Sequence, residues 1–184
     1  MDIVSKSIKD LSEILYNLTN VISTTEKNID CLDKQKQDNI KKLKVKALAL
    51  ASQIDISICI FYLNEPSCKY EAHFFLNIAL MKMKEIIKKL VNVHTETTHE
   101  LYYNPSEELK DEIMKLLNSW NDKYNKWIND IRIFSTAHYD IDIVKFINYG
   151  YKDIDPSKNQ KCFDEFIHIL KTVQKNINVP SSNL

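Results

Sequence analysis

The chain holds 184 residues, 44% of them hydrophobic, enough for one domain to bury a core of its own. Its 25 basic and 25 acidic residues cancel, so bulk charge steers it toward neither nucleic acid nor an anionic membrane, and any RNA contact has to be local. One glycine and four prolines are too few for the turns of a many-stranded β-sandwich, whereas long helices need little of either; an all-α bundle of about five to six helices is expected.

Ile3, Ile8, Leu11, Leu15, Leu18 and Ile22 recur every three to five residues and draw one apolar stripe down a first amphipathic helix. Ser23 to Gln37 is polar, with Ile29 and Leu32 too sparse to define a face, and reads as a linker or a frayed extension. The pattern resumes at about Asp38 and runs to Leu63. Ile54, Ile56, Ile58 and Ile60 alternate as strand residues would, but no second strand is present to pair with them, so helix is the reading kept. Val45 to Leu63 carries only Lys46 and Asp55 as charges. Those two and the polar Gln53 make membrane insertion costly, so a buried helix is expected there. Pro66 closes the segment within Asn64-Glu65-Pro66-Ser67.

Lys69 to Val93 is apolar almost all round, through Phe74, Phe75, Ile78, Leu80, Met83, Ile86, Ile87, Leu90 and Val91, as the central helix of a bundle should be. His94 to Tyr103 is a polar connection. Asn104, Pro105 and Glu107 then offer a cap, a first-turn proline and a third-position glutamate for the next helix. That helix has the cleanest stripe in the chain: Leu109, Ile113, Leu116, Leu117, Trp120, Tyr124, Trp127, Ile128 and Ile131. Beyond it, Ile141 to Tyr149 suggests a short helix stopped by Gly150. Asp155-Pro156 caps a last one that turns Phe163, Phe166, Ile167, Leu170, Val173 and Ile177 inward. A single domain is expected: residues 1–37 as N-terminal helix and linker, 38–178 as the bundle core and 179–184 as a flexible tail.

Cys31, Cys59, Cys68 and Cys162 include no C-x-x-C pair, and no basic and apolar leader opens the chain, so buried or free thiols in a cytoplasmic protein are expected. A single glycine leaves no Walker loop and no G-x-G-x-x-G turn. His94 and His99 are five apart and lack the i,i+4 spacing that sets two imidazoles on one helical face for zinc. Neither a cofactor nor a metal is called for. His73 and His168 sit beside apolar neighbours as structural groups. Trp120 and Trp127 belong to a core stripe rather than to a platform for stacking bases, and the runs Lys34 to Lys46 and Lys82 to Lys89 are solvated faces.

Against 24 lysines the chain has one arginine, Arg132. A guanidinium grips a phosphate with two parallel hydrogen bonds, which an ammonium cannot reproduce. Six residues on comes His138, whose ordinary pKa suits it to proton transfer. Both fall where a long helix gives way to a shorter one. The same residues also suit a structural role, a cation at the carboxyl end of a helix and a histidine bracing the turn.

The segment Trp127-Ile128-Asn129-Asp130-Ile131-Arg132, followed by Ala137-His138-Tyr139-Asp140, resembles the HEPN superfamily of helical ribonucleases and toxins, which share an arginine, four to six residues and a histidine. The likeness is closest to the abortive-infection branch, with Ala137, His138 and Asp140 matching. Ile133 departs from it, standing where the family usually carries a polar residue. The resemblance implies a HEPN-like domain that cleaves RNA without a metal, as a toxin or antiviral-defence protein. Arg132 and His138 from two subunits of a homodimer would form one composite site. The ribose 2′-OH would attack the adjacent phosphate, His138 would handle the proton and Arg132 would steady the phosphoryl charge. Asp140, with Tyr139 beside it, would support the histidine or cap the next helix. An antitoxin or regulatory protein would be a further partner. Outside this segment every feature also fits a non-enzymatic helical adaptor, viral or regulatory, that presents a groove to a partner.

Overall fold

The structure, a computed structural model, describes residues 2–27, 33–91, 107–136 and 155–179; the side chains of 2–4, 70, 91, 107–110 and 132–136 fall outside that description. Five helices and no strand occur among the described residues: α1 (Asp2–Glu26), α2 (Lys34–Asn64), α3 (Lys69–Val91), α4 (Glu107–Thr136) and α5 (Pro156–Lys175). The expectation of an all-α bundle holds.

Two of the helix starts have a visible cause. Asp33, in extended geometry, accepts a 2.9 Å hydrogen bond from the Lys36 amide and so satisfies one of the donors that the first turn of α2 leaves open. Asp155 does the same for α5, accepting from the Ser157 and Lys158 amides, with Pro156 at the first helical position. Of the two readings for Ser23 to Gln37, a linker or a frayed extension, helical extension holds at both edges of the segment. α1 continues through Glu26, and Lys34 to Gln37 form the first turn of α2, because a capping aspartate outweighs the absence of an apolar face there.

α2 packs against α1, α3 and α5; α4 packs against α3 and α5. α2, α3, α4 and α5 thus close a ring around one core, and α1 lies against α2 from outside. α2, not α3, is the central helix. The outer side of α3 leaves Phe74 51% and Met81 39% exposed, so its all-round apolarity does not mean all-round burial. The isoleucines of α2 alternate because that helix has neighbours on three sides: Ile54 and Ile56 are both buried although they point in different directions. By length and composition α2 could cross a membrane, and half of its most apolar window is buried in the bundle.

Side-chain contacts fix the directions. Tyr62 stacks on Phe75 and Lys82 meets Asp55 at 2.9 Å, which sets α3 antiparallel to α2. Gln174 donates to Gln53 at 2.9 Å and Lys46 to the Ile177 carbonyl at 3.0 Å, while Leu63 and Phe163 border one small cavity; α5 is antiparallel to α2. Lys123 bonds Glu165 and Lys158 lies over the Trp127 ring, so α4 is antiparallel to α5 and hence also to α3. The result is an up-down-up-down bundle.

Trp120, Phe163 and Phe166 are its largest fully buried side chains, packed with Leu76, Leu80, Met83 and Ile128. A smaller cluster of Ile22, Ile40 and Leu43 fastens α1, and Val179, first residue of the expected tail, packs against both clusters. The connection His94 to Tyr103, the cap Asn104 to Ser106, the helix Ile141 to Tyr149 with Gly150, and Cys31 lie outside the described residues.

Candidate functional site

α4 places the motif arginine. Ile113, Leu117, Trp120, Tyr124, Ile128 and Ile131 are buried, the expected stripe at steps of three and four, and Arg132 follows directly on the helix. The helix then runs on through Thr136, so a full turn separates Arg132 from its end, and the junction expected at Arg132 lies later. Only the backbone of Arg132 and Ile133 is described. Ala137, His138, Tyr139 and Asp140 lie outside the described residues, as do His94 and His99. The structure therefore gives no distance between the two motif residues.

What it does give is the surface of α4 one turn earlier. Asn121, Asn125 and Asn129 form a row at i, i+4 and i+8, and Asn129 Nδ2 donates to Asn125 Oδ1 at 3.1 Å. From α3, Lys84 Nζ donates to Asn125 Oδ1 and, at 3.4 Å, to Asn121 Oδ1. Arg132 follows Asn129 by three residues in the same helix. On α3, Asn77 and His73 lie seven and eleven residues before Lys84, on the same helical face, and both are buried. Asn77 Nδ2 is 3.2 Å from His73 Nδ1 and 3.3 Å from Nε2. Burial holds the imidazole below its ordinary pKa. His73 is thus the structural histidine expected, and it has a partner.

On its other side α4 forms an open groove with α5, of about 430 Å³, bordered by Leu116, Ser119, Trp120, Lys123, Glu165 and His168. Lys123 Nζ reaches both oxygens of Glu165, at 3.1 and 3.0 Å, but both groups are well exposed and the pair stabilises little. Burial, with the Glu165 carboxylate beside it, pushes the Tyr124 hydroxyl up to about 12. His168 is exposed at the rim. Trp120 lies in the core and Trp127, half-buried, carries Lys158 at 4.8 Å from its ring centroid, so neither is an open stacking platform.

Burial also raises the thiols of Cys59, to about 11, and of Cys162, which marks them as inert core groups. Cys68 is exposed. Among the described residues no group of three or more His, Cys, Asp or Glu side chains could hold a metal. The lysine runs divide: Lys41 and Lys82 meet exposed carboxylates, while Lys46 and Lys84 are half-buried and bridge helices.

The asparagine row was open to reading in the sequence, since three asparagines spaced by four beside an apolar stripe occupy one edge of a helix. The α3 side was not, because a histidine and an asparagine among phenylalanines and leucines carry no sign of the helix they will face. Comparison of the chain with family models, with curated proteins and with solved structures finds no match.

Proposed function

We propose that the protein is a HEPN-like, metal-independent endoribonuclease of toxin or antiviral-defence type, acting as a homodimer. The observation that carries this reading is the Arg132-x5-His138 spacing with Ala137 and Asp140, set at the end of a long helix in an all-α bundle. In the reaction the ribose 2′ oxygen bonds to phosphorus as its proton passes to His138. The bond from phosphorus to the 5′ oxygen breaks and that oxygen is protonated, leaving a cyclic phosphate and a free hydroxyl. Arg132 holds the phosphoryl oxygens as charge collects on them.

The test is incubation of the protein with structured and single-stranded RNA in EDTA. Wild type cleaves; Arg132→Ala and His138→Ala each lose about 100-fold or more in rate. Cleavage by both variants at the wild-type rate overturns the assignment.

A non-enzymatic adaptor is the second reading, and one observation favours it. Phe74 and Met81, seven residues apart, are exposed on one face of α3, and Tyr62 is exposed in the last turn of α2, stacked on Phe75 at 4.6 Å; exposed apolar side chains of this kind meet partners. An inactive wild-type protein is what this reading expects of the RNA assay.

A further inference from the structure

α1 carries more apolar surface than its neighbour covers. Among the described helices α2 alone packs closely against it, with Leu18 and Ile22 set among Ile40, Leu43 and Ala47. Of the stripe Ile8, Leu11, Leu15, Leu18 and Ile22, only Ile22 is fully buried, and the other four stay partly open. Beside that stripe runs a second row at the same steps of three and four: Ser7, Leu11, Ile14, Leu18, Val21 and Thr25. It shares Leu11 and Leu18 with the first and leaves Ile14 54% and Val21 41% exposed.

This second row is complementary to itself. When two copies of α1 lie antiparallel about a twofold axis level with Tyr16, Ile14 of one copy meets Leu18 of the other, Leu11 meets Val21 and Ser7 meets Thr25. Apolar side chains then face apolar ones, and hydroxyls face hydroxyls. Sliding the pair by one heptad sets Ser7 against Leu18, or Ile14 against Thr25, and loses that match. The flank away from α2 holds Asp10, Asn17 and Thr24, all exposed. The same axis brings Asn17 against its own copy and Asp10 against Thr24. A charge close to a twofold axis would repel itself, whereas an amide, both donor and acceptor, bonds its own copy. Lys6, Lys9 and Glu13 project from other sides of the helix.

We propose that this face of α1 is a self-association surface, on which a second copy of the chain docks its own α1 antiparallel. α1 lies outside α2, and α4 lies across the ring from α2, so the pairing keeps the two copies of α4 on opposite outer sides. It is therefore a different interface from one that would join Arg132 and His138 of two subunits, and it stands whether or not the protein cleaves RNA. From Ser7 to Thr25 the seam is about 27 Å long and covers on the order of 1,000 Å² in all, the low end for a specific interface, so the pair forms at micromolar chain or above.

The test is sedimentation velocity from about 5 to about 500 µM chain. The mean mass of wild type rises about twofold across that range. Ile14→Glu, at an exposed position, abolishes the rise and keeps the wild-type melting temperature at the lowest concentration. With Asn17→Cys, a short bis-maleimide joins position 17 of one copy to position 17 of the other in peptide maps. Tyr16→Cys, one residue away but facing outward, gives no such product, and this comparison carries the test if Ile14→Glu does not fold. Association of Ile14→Glu equal to wild type, or cross-linking of Tyr16→Cys as ready as that of Asn17→Cys, overturns the proposal. A wild type of constant mass overturns it in favour of a different partner. A lowered melting temperature in Ile14→Glu with unchanged mass gives the face to a segment of the same chain and overturns it as well.

Discussion

The indole Nε1 of Trp120 donates a 2.9 Å hydrogen bond to the main-chain carbonyl of Cys162, tying the middle of α4 to α5 in the centre of the core. Trp120 is 1% exposed, and its ring lies 4.9 Å from that of Phe166 and 5.6 Å from that of Tyr124. Trp120→Phe removes the donor and part of the volume, and should lower unfolding free energy by about 1–3 kcal/mol; Trp120→Ala should cost about 3–5 kcal/mol. Urea denaturation of the three proteins checks this. Equal midpoints for wild type and Trp120→Ala would show that α4 and α5 do not share this core.

The start of α2 depends on a single side chain. Asp33→Asn keeps an acceptor for the Lys36 amide, whereas Asp33→Ala loses it. The alanine variant should be less stable by about 1 kcal/mol and the asparagine variant close to wild type. Two variants with the same melting temperature would mean that the cap contributes nothing.

Asn159 Oδ1 is buried without a hydrogen-bond partner, beside a cavity of about 40 Å³ between the end of α2 and the start of α5. An unsatisfied buried acceptor costs about 1–3 kcal/mol, so Asn159→Leu should melt at or above the wild-type temperature. A fall in melting temperature of more than about 4 °C would mean that the oxygen is satisfied, as by an ordered water in the cavity.

Thiol reactivity should divide by burial. Cys68 is exposed, while burial raises the pKa of Cys59 and Cys162. Under native conditions alkylation should modify Cys68 within minutes and reach the other two only after denaturant is added, as read by peptide mass spectrometry. Native modification of Cys162 at the rate of Cys68 would contradict the packing of α5.

The His73 imidazole has a folded-state pKa below its ordinary 6.5 because burial disfavours the charged form. Between the two values the unfolded chain binds more protons than the folded one, so stability is intact above about pH 6.5 and declines as pH falls below it toward the folded pKa. Melting temperature should therefore drop from pH 7.5 to pH 5.5, and drop less in His73→Gln. Identical slopes would assign the pH dependence to other groups.

The fold was legible where packing repeats along a helix. The stripe of α4 from Ile113 to Ile131 and the Asp155-Pro156 start of α5 follow from periodicity and capping chemistry, which are local. The early start of α2 was local too, but Asp33 is one of several polar residues in its segment and only its extended backbone distinguishes it. Which helix is central was not local at all. α3 is the more apolar to the eye, yet Phe74 and Met81 face outward, and α2 gains three neighbours only once the chain has folded back on both sides of it. Likewise Arg132 could be singled out by composition alone, whereas the bonds from Lys84 to Asn121 and Asn125 exist only through the antiparallel pairing of α3 and α4.

That pairing has an electrostatic consequence for the backbone itself. The end of the bundle near Arg132 gathers the amino termini of α3 and α5 and the carboxyl termini of α2 and α4. Each terminus carries about half an elementary charge, positive at the start of a helix and negative at its end. In this four-helix ring two positive poles meet two negative ones and largely offset each other. In a chain with no net charge, attraction of an anion to that end therefore falls to side chains rather than to the peptide groups.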